Sequence, residues 1–162
     1  MTELPGTWKV VTVWLLLGLA GALGVNAWQA QRERAQFHFD GQRVTLQRAA
    51  DGHYHWPGSL NGRAVVFLVD TGATRSAVPA ALARELGLAV LGSVSSSTAG
   101  GLARGELVRA DLALQGGVKV SQARLVALPQ LDSPLLGMDV LGKLTLRQSG
   151  TVLSIEPGTA PP

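Results

Sequence analysis

Residues 65–69, Val-Val-Phe-Leu-Val, run without a polar side chain into Asp70-Thr71-Gly72-Ala73-Thr74. Five apolar residues rich in β-branched and aromatic types read as a strand buried on both faces, and Thr-Gly directly after an acid is turn chemistry. The chain therefore delivers a carboxylate to the rim of a core. An acid in that position costs several kcal/mol unless it is paired or hydrogen-bonded, so partners for Asp70 are expected. Asp-Thr-Gly alone is also what an ordinary hairpin turn or helix cap uses. Its weight comes from the apolar run before it and a matching segment downstream.

That second segment is Leu135-Leu136-Gly137-Met138-Asp139. Two apolar residues meet a glycine, and a short helix is expected to follow with Asp139 as its N-cap. Between the two segments, Pro79 to Leu86 reads as one short helix, with proline where it begins and Gly87 where it stops. Ser93 to Gly101 is a run of small residues ending in a glycine pair. Alternating apolar positions over Glu106 to Leu114 follow it, so the stretch reads as a mobile hairpin. Gln115-Gly116-Gly117 turns the chain into Val118–Leu128. Asp40-Gly41 and Asn61-Gly62 each separate two β-type runs and predict hairpins, the first of them peripheral. Thr145-Leu146 and Val152 to Ile155 are closing strands, and the Pro/Gly-rich tail is expected to fray.

The N-terminal part has a different character. Residues 10–27 carry no charge and are almost wholly apolar. Eighteen residues in a helix reach about 27 Å, close to the ~30 Å of a hydrocarbon core, and Trp8 and Trp28 stand where interfacial aromatics are expected. The reading adopted is a single-pass anchor; a cleaved secretory signal ending near Val25-Asn26-Ala27 is the rival. Arg32, Arg34, Arg43 and Arg48 outnumber Lys9, which by a strict positive-inside count would keep the following domain in the cytoplasm. Long following domains escape that count, and a short N-terminal tail suits an uncleaved export signal. The expectation is an inner-membrane protein with its domain on the periplasmic side. The division is then 1–36 for tail, anchor and linker, 37–157 for the domain with its core at about 53–156, and 158–162 for the frayed tail.

Composition removes several function classes. The 14 basic and 11 acidic residues leave +3; without Lys9, Arg32, Arg34, Glu3 and Glu33, residues 37–162 hold 11 and 9. A thin +2 is no nucleic-acid footprint. Cysteine is absent, which excludes disulfides, thiol catalysis and Cys-ligated zinc. His53 and His55 share a strand face but lack a nearby third ligand, and read as surface histidines. No metal and no cofactor are expected.

Phe67 to Thr74 (F-L-V-D-T-G-A-T), Thr98 to Gly101 (T-A-G-G) and Leu135 to Asp139 (L-L-G-M-D), in this order, resemble the retropepsin-like aspartic proteases, in particular small membrane-attached bacterial members. The resemblance covers roughly residues 53–156. It implies an all-β fold, a closed barrel-like half with one or two short helices. It also implies a catalytic turn of Asp70, Thr71 and Gly72, and a flap at about 94–104. Ala73, Thr98, Ala99, Gly100 and Gly101 would then contact a polypeptide substrate. Thr71 would bond to its counterpart in a second copy, Gly72 would let substrate approach, and Leu135-Leu136-Gly137 would pack on the catalytic loop. Two departures matter. Residues 93–105 contain no aromatic where pepsin-like flaps carry tyrosine, and Ala73 stands where pepsins have a hydroxyl.

Chemistry leads to the same place. With no thiol and no Ser-His pair, peptide hydrolysis calls for an activated water, and two carboxylates sharing one proton supply base and acid together. One chain offers one Asp-Thr-Gly, so the second carboxylate is expected from another copy across a two-fold axis. Two other readings stay open: a non-catalytic dimeric peptide-binding module on the same fold, and a structural membrane protein whose Asp-Thr-Gly is only a turn.

Overall fold

Asn61 and Gly62 both adopt positive φ, 46° and 83°, the conformation a two-residue hairpin turn of the twist-matching kind requires. They join β3 (Tyr54–Leu60) to β4 (Arg63–Val69), which pair residue for residue from Leu60↔Arg63 to Tyr54↔Val69. The structure is a computed structural model describing residues 11, 12, 14, 15, 18, 37–98 and 101–157. The chain divides into two units at Ala35/Gln36. In the first, the described residues Val11, Thr12, Trp14, Leu15 and Gly18 are helical. Most of the expected anchor, residues 10–27, lies outside the described residues, among which no helix is long and apolar enough to cross a membrane.

The second unit is all-β with two short helices. Its larger sheet has the order β3-β4-β9-β5-β8-β7-β6, and β3 also pairs with β7 through Gly58↔Leu114 to Leu60↔Leu112. That extra pairing closes six of the strands into a barrel and leaves β6 as an outer strand. The members not yet given are β5 (Ala77–Pro79), β6 (Ala89–Thr98), β7 (Gly101–Leu114), β8 (Lys119–Leu128) and β9 (Leu135–Leu136). A second, antiparallel sheet has the order β1-β2-β11-β10, from β1 (Phe37–Phe39), β2 (Val44–Gln47), β10 (Leu144–Ser149) and β11 (Val152–Pro157).

The first hairpin is less peripheral than expected. Val44 and Leu46 of β2 are buried and belong to the same apolar core as Trp56, Phe67, Leu125, Leu136 and Ile155, because β2 pairs with β11 and turns one face inward. β4 also departs from the reading as a strand buried on both faces. Phe67 and Val69 are buried, whereas Val65, Val66 and Leu68 are only half-buried. The barrel wall has one inner face, and a strand in it alternates whatever its composition.

Helix α1 (Ala80–Glu85) starts after Pro79, which caps it from an extended conformation rather than sitting in its first turn. At its other end Leu88 N–H reaches Ala83 O and Gly87 N–H reaches Arg84 O, the paired bonds that stop a helix on a left-handed residue. Helix α2 (Met138–Leu141) is a single turn whose N-cap is Gly137. Asp139 therefore lies inside that turn and is not its cap. Its carboxylate is engaged elsewhere.

Candidate active site

The two strands flanking the Asp70 turn do not lie side by side. β9 is inserted between them, parallel to β4 through Leu68↔Leu135 and Val69↔Leu136, and antiparallel to β5 through Ala77↔Leu135. Leu68 N–H donates to Pro134 O at 2.8 Å and Asp70 N–H to Leu136 O at 3.0 Å. The ladder thus runs up to the acid itself. Past it the chain turns back: Ala73 N–H donates to Asp70 O at 3.3 Å, and Gly72 N–H donates to Asp70 Oδ1 at 2.8 Å. This is an Asx turn nested in a β-turn, which is why Asp followed by Thr-Gly suits the position. Asp70 is half-buried, while Thr71 and Gly72 are exposed and Ala73 is half-buried. The carboxylate accordingly has one oxygen steered by backbone at the mouth of an apolar wall.

A second set of bonds holds the turn from behind. Met138 N–H donates to Ala73 O at 2.8 Å and Asp139 N–H to Thr74 O at 3.2 Å. Asp139 Oδ1 receives Ser76 N–H at 2.9 Å, Ser76 Oγ–H at 2.7 Å and Val140 N–H at 3.0 Å. Gly137 is the point of closest approach. A Cβ there would stand 2.5 Å from Arg75 C, 2.7 Å from Arg75 O and 2.9 Å from Ala73 O, so no side chain fits between α2 and the turn.

The expected flap is the hairpin of β6 and β7, in register from Val94↔Gly105 to Thr98↔Gly101. Thr98 ends one strand and Gly101 begins the other; Ala99 and Gly100 lie outside the described residues. The Asp70 turn and this hairpin are linked through the sheet, since β5 pairs with β8 and β8 with β7. A cleft of about 700 Å³ lies at the hairpin base, lined by Ala80, Arg84, Ser93, Val94, Arg104 and Glu106 among others, and Asp70 is not among its lining residues. His55 Nε2 lies 2.7 Å from Asp51 Oδ2. Among the described residues no cluster of three His, Asp or Glu is arranged for a metal ion.

Sequence reasoning found the turn and the Leu-Leu-Gly segment but missed Ser76 and mistook Asp139. The available signal for Ser76 was a lone hydroxyl directly before the apolar pair Ala77-Val78, which opens a strand that turns out to be buried.

Residues 56–143, more than half of the chain, match the family described as "gag-polyprotein putative aspartyl protease". The chain belongs to this aspartyl protease family. Both the Asp70 turn and the Leu135–Asp139 segment fall inside the matched span. The chain is 31% identical over 115 residues to an uncharacterized protein in the cobV 5′ region of a Sinorhizobium species, covering 68% of this chain and 49% of that protein. It therefore spans about half the length of this curated relative. The crystal structure of a retropepsin-like aspartic protease from Rickettsia conorii superposes with a TM-score of 0.56 at 23% identity, over 70% of this chain and 89% of that one. The barrel with few short helices is thus the retropepsin fold. The simian foamy virus protease in solution is 23% identical, with a TM-score of 0.43 over 54% of this chain and 91% of that chain.

Proposed function

We propose that this member of the family is a membrane-anchored aspartic endopeptidase that works as a homodimer, with Asp70 of each copy supplying half of a catalytic dyad. The observation that carries the reading is the state of Asp139. The other acid within the family-like segments has its Oδ1 filled by three donors, two from Ser76 and one from Val140, so it serves the scaffold and is not offered to Asp70 as the second carboxylate. A two-fold axis supplies one.

In this mechanism one Asp70 is ionised and takes a proton from water as it attacks the peptide carbonyl. The partner's Asp70 is neutral and gives its proton to the carbonyl oxygen; collapse of the tetrahedral adduct then moves a proton to the leaving amine. Thr71, exposed beside the acid, would meet its counterpart, and Gly72, where a Cβ would stand 3.1 Å from Asp70 Oδ1, would leave that approach open. The β6–β7 hairpin closes over an extended polypeptide with Thr98, Ala99, Gly100 and Gly101 at its tip, adding backbone hydrogen bonds as strand addition does. Lacking an aromatic at 93–105, it would clamp through backbone and small side chains. Residues 10–27 would hold the protein in the inner membrane with the domain on the periplasmic side, confining both copies to one plane and raising their effective concentration.

The test is to incubate the full chain in lipid vesicles with a peptide library at pH 4–7, with and without a statine-type inhibitor. Inhibitor-sensitive cleavage that is bell-shaped in pH and absent from Asp70→Asn is the expected result. Retained cleavage in Asp70→Asn would remove the dyad, and peptide binding without cleavage by the wild type would favour the binding-module reading.

A further inference from the structure

The peptide unit joining Leu136 to Gly137 is gripped at both ends. Its carbonyl accepts Asp70 N–H at 3.0 Å, and its N–H donates to Ser76 Oγ at 3.0 Å. A peptide unit is a rigid plane, so a tilt at one end is a tilt at the other. Ser76 is fully buried. Since Gly137 N–H points its hydrogen at Oγ, the Ser76 hydroxyl must send its own proton elsewhere, and Asp139 Oδ1 at 2.7 Å receives it. Asp139 is fixed in turn by Ser76 N–H and Val140 N–H on the same oxygen. Asp139 orients a hydroxyl, the hydroxyl orients a peptide plane, and the plane holds the backbone of Asp70.

We propose that Ser76 is a positioning residue for Asp70, acting with Asp139 through the Leu136–Gly137 peptide. Neither residue touches substrate in this role. If packing were the sole demand on this buried position before β5, alanine would serve as well as serine; what alanine lacks is an acceptor for the buried Gly137 N–H. Displacing a catalytic group slightly lowers turnover far more than it weakens binding, because substrate is still held by the remaining contacts. The inference rests on the reading of Asp70 as the catalytic acid, but the clamp itself can be measured without any activity.

The experiment compares the full chain with Ser76→Ala, Asp139→Ala and Asp139→Asn, by amide hydrogen exchange and by kcat and KM on a peptide that the wild type cleaves. Ser76→Ala is expected to lose protection at the Asp70 and Gly137 amides while β7 and β8 keep theirs, and to lower kcat by roughly ten-fold or more with KM within about two-fold. Asp139→Ala gives the same pattern in milder form, and carries the test if Ser76→Ala does not fold. Asp139→Asn keeps an oxygen for the three donors and returns both readouts to within about three-fold of wild type. Unchanged protection at Asp70, protection lost equally throughout the barrel, or kcat unaltered in Ser76→Ala would overturn the proposal. Should the wild type cut no peptide, the protease reading fails, and exchange at Asp70 alone decides the clamp.

Discussion

Tyr54 and Asp51 stand three residues apart and are governed by opposite rules. Among the described residues the buried Tyr54 hydroxyl has no hydrogen-bond partner, so its desolvation is not offset there, while its ring packs in the core under the Arg48 guanidinium at 5.5 Å. Tyr54→Phe is predicted to be neutral or to stabilise by about 1 kcal/mol, read from the urea midpoint at constant m-value. A marked loss of stability would mean that the hydroxyl has a partner. Asp51 is exposed, and the His53 N–H, followed by the His55 imidazole, holds its carboxyl below the usual range. A carboxyl lowered on folding stabilises above its unfolded pKa of about 3.9 and loses that contribution as pH falls through the folded value. Asp51→Ala should therefore melt below the wild type at pH 7, with the gap closing as pH falls past 4. A gap independent of pH would assign the effect to packing.

Among the elements, β9 and α2 are small and decisive. A two-residue strand and a one-turn helix hold the Asp70 turn through Leu136, Ala73 and Thr74, and they do so at backbone distance because residue 137 is glycine. Gly137→Ala would drive a methyl group into the backbone of Arg75 and Ala73. It is predicted to cost about 1–3 kcal/mol and to disable the turn; an unchanged melting temperature would show that the contact yields. The sequence made the hairpin turns legible, since Asn61-Gly62 and Asp40-Gly41 carry their conformation locally. It also made the Asp70 turn legible, because an apolar run ending in Asp-Thr-Gly is local chemistry. Insertion of β9 between β4 and β5 was not legible from pattern, since Leu135 and Leu68 meet across sixty-seven positions. Asp139 was misread for a related reason. Next to a helix start an acid looks like a cap, and only the fold brings Ser76 to its carboxylate.

For the whole molecule, the closed barrel is a complete core but, on this account, half an enzyme. If the second carboxylate is the Asp70 of another copy, as proposed, activity belongs to the assembled pair and depends on its concentration. A fixed total of protein in which wild type and Asp70→Asn are mixed in varied ratio, allowed to exchange partners and assayed on one cleavable peptide, tests that claim most directly. If both copies of Asp70 are needed, activity follows the square of the wild-type fraction, about one quarter at an equal mixture. Activity in simple proportion to the wild-type fraction, about one half at an equal mixture, would mean that a single Asp70 suffices and would contradict the shared dyad.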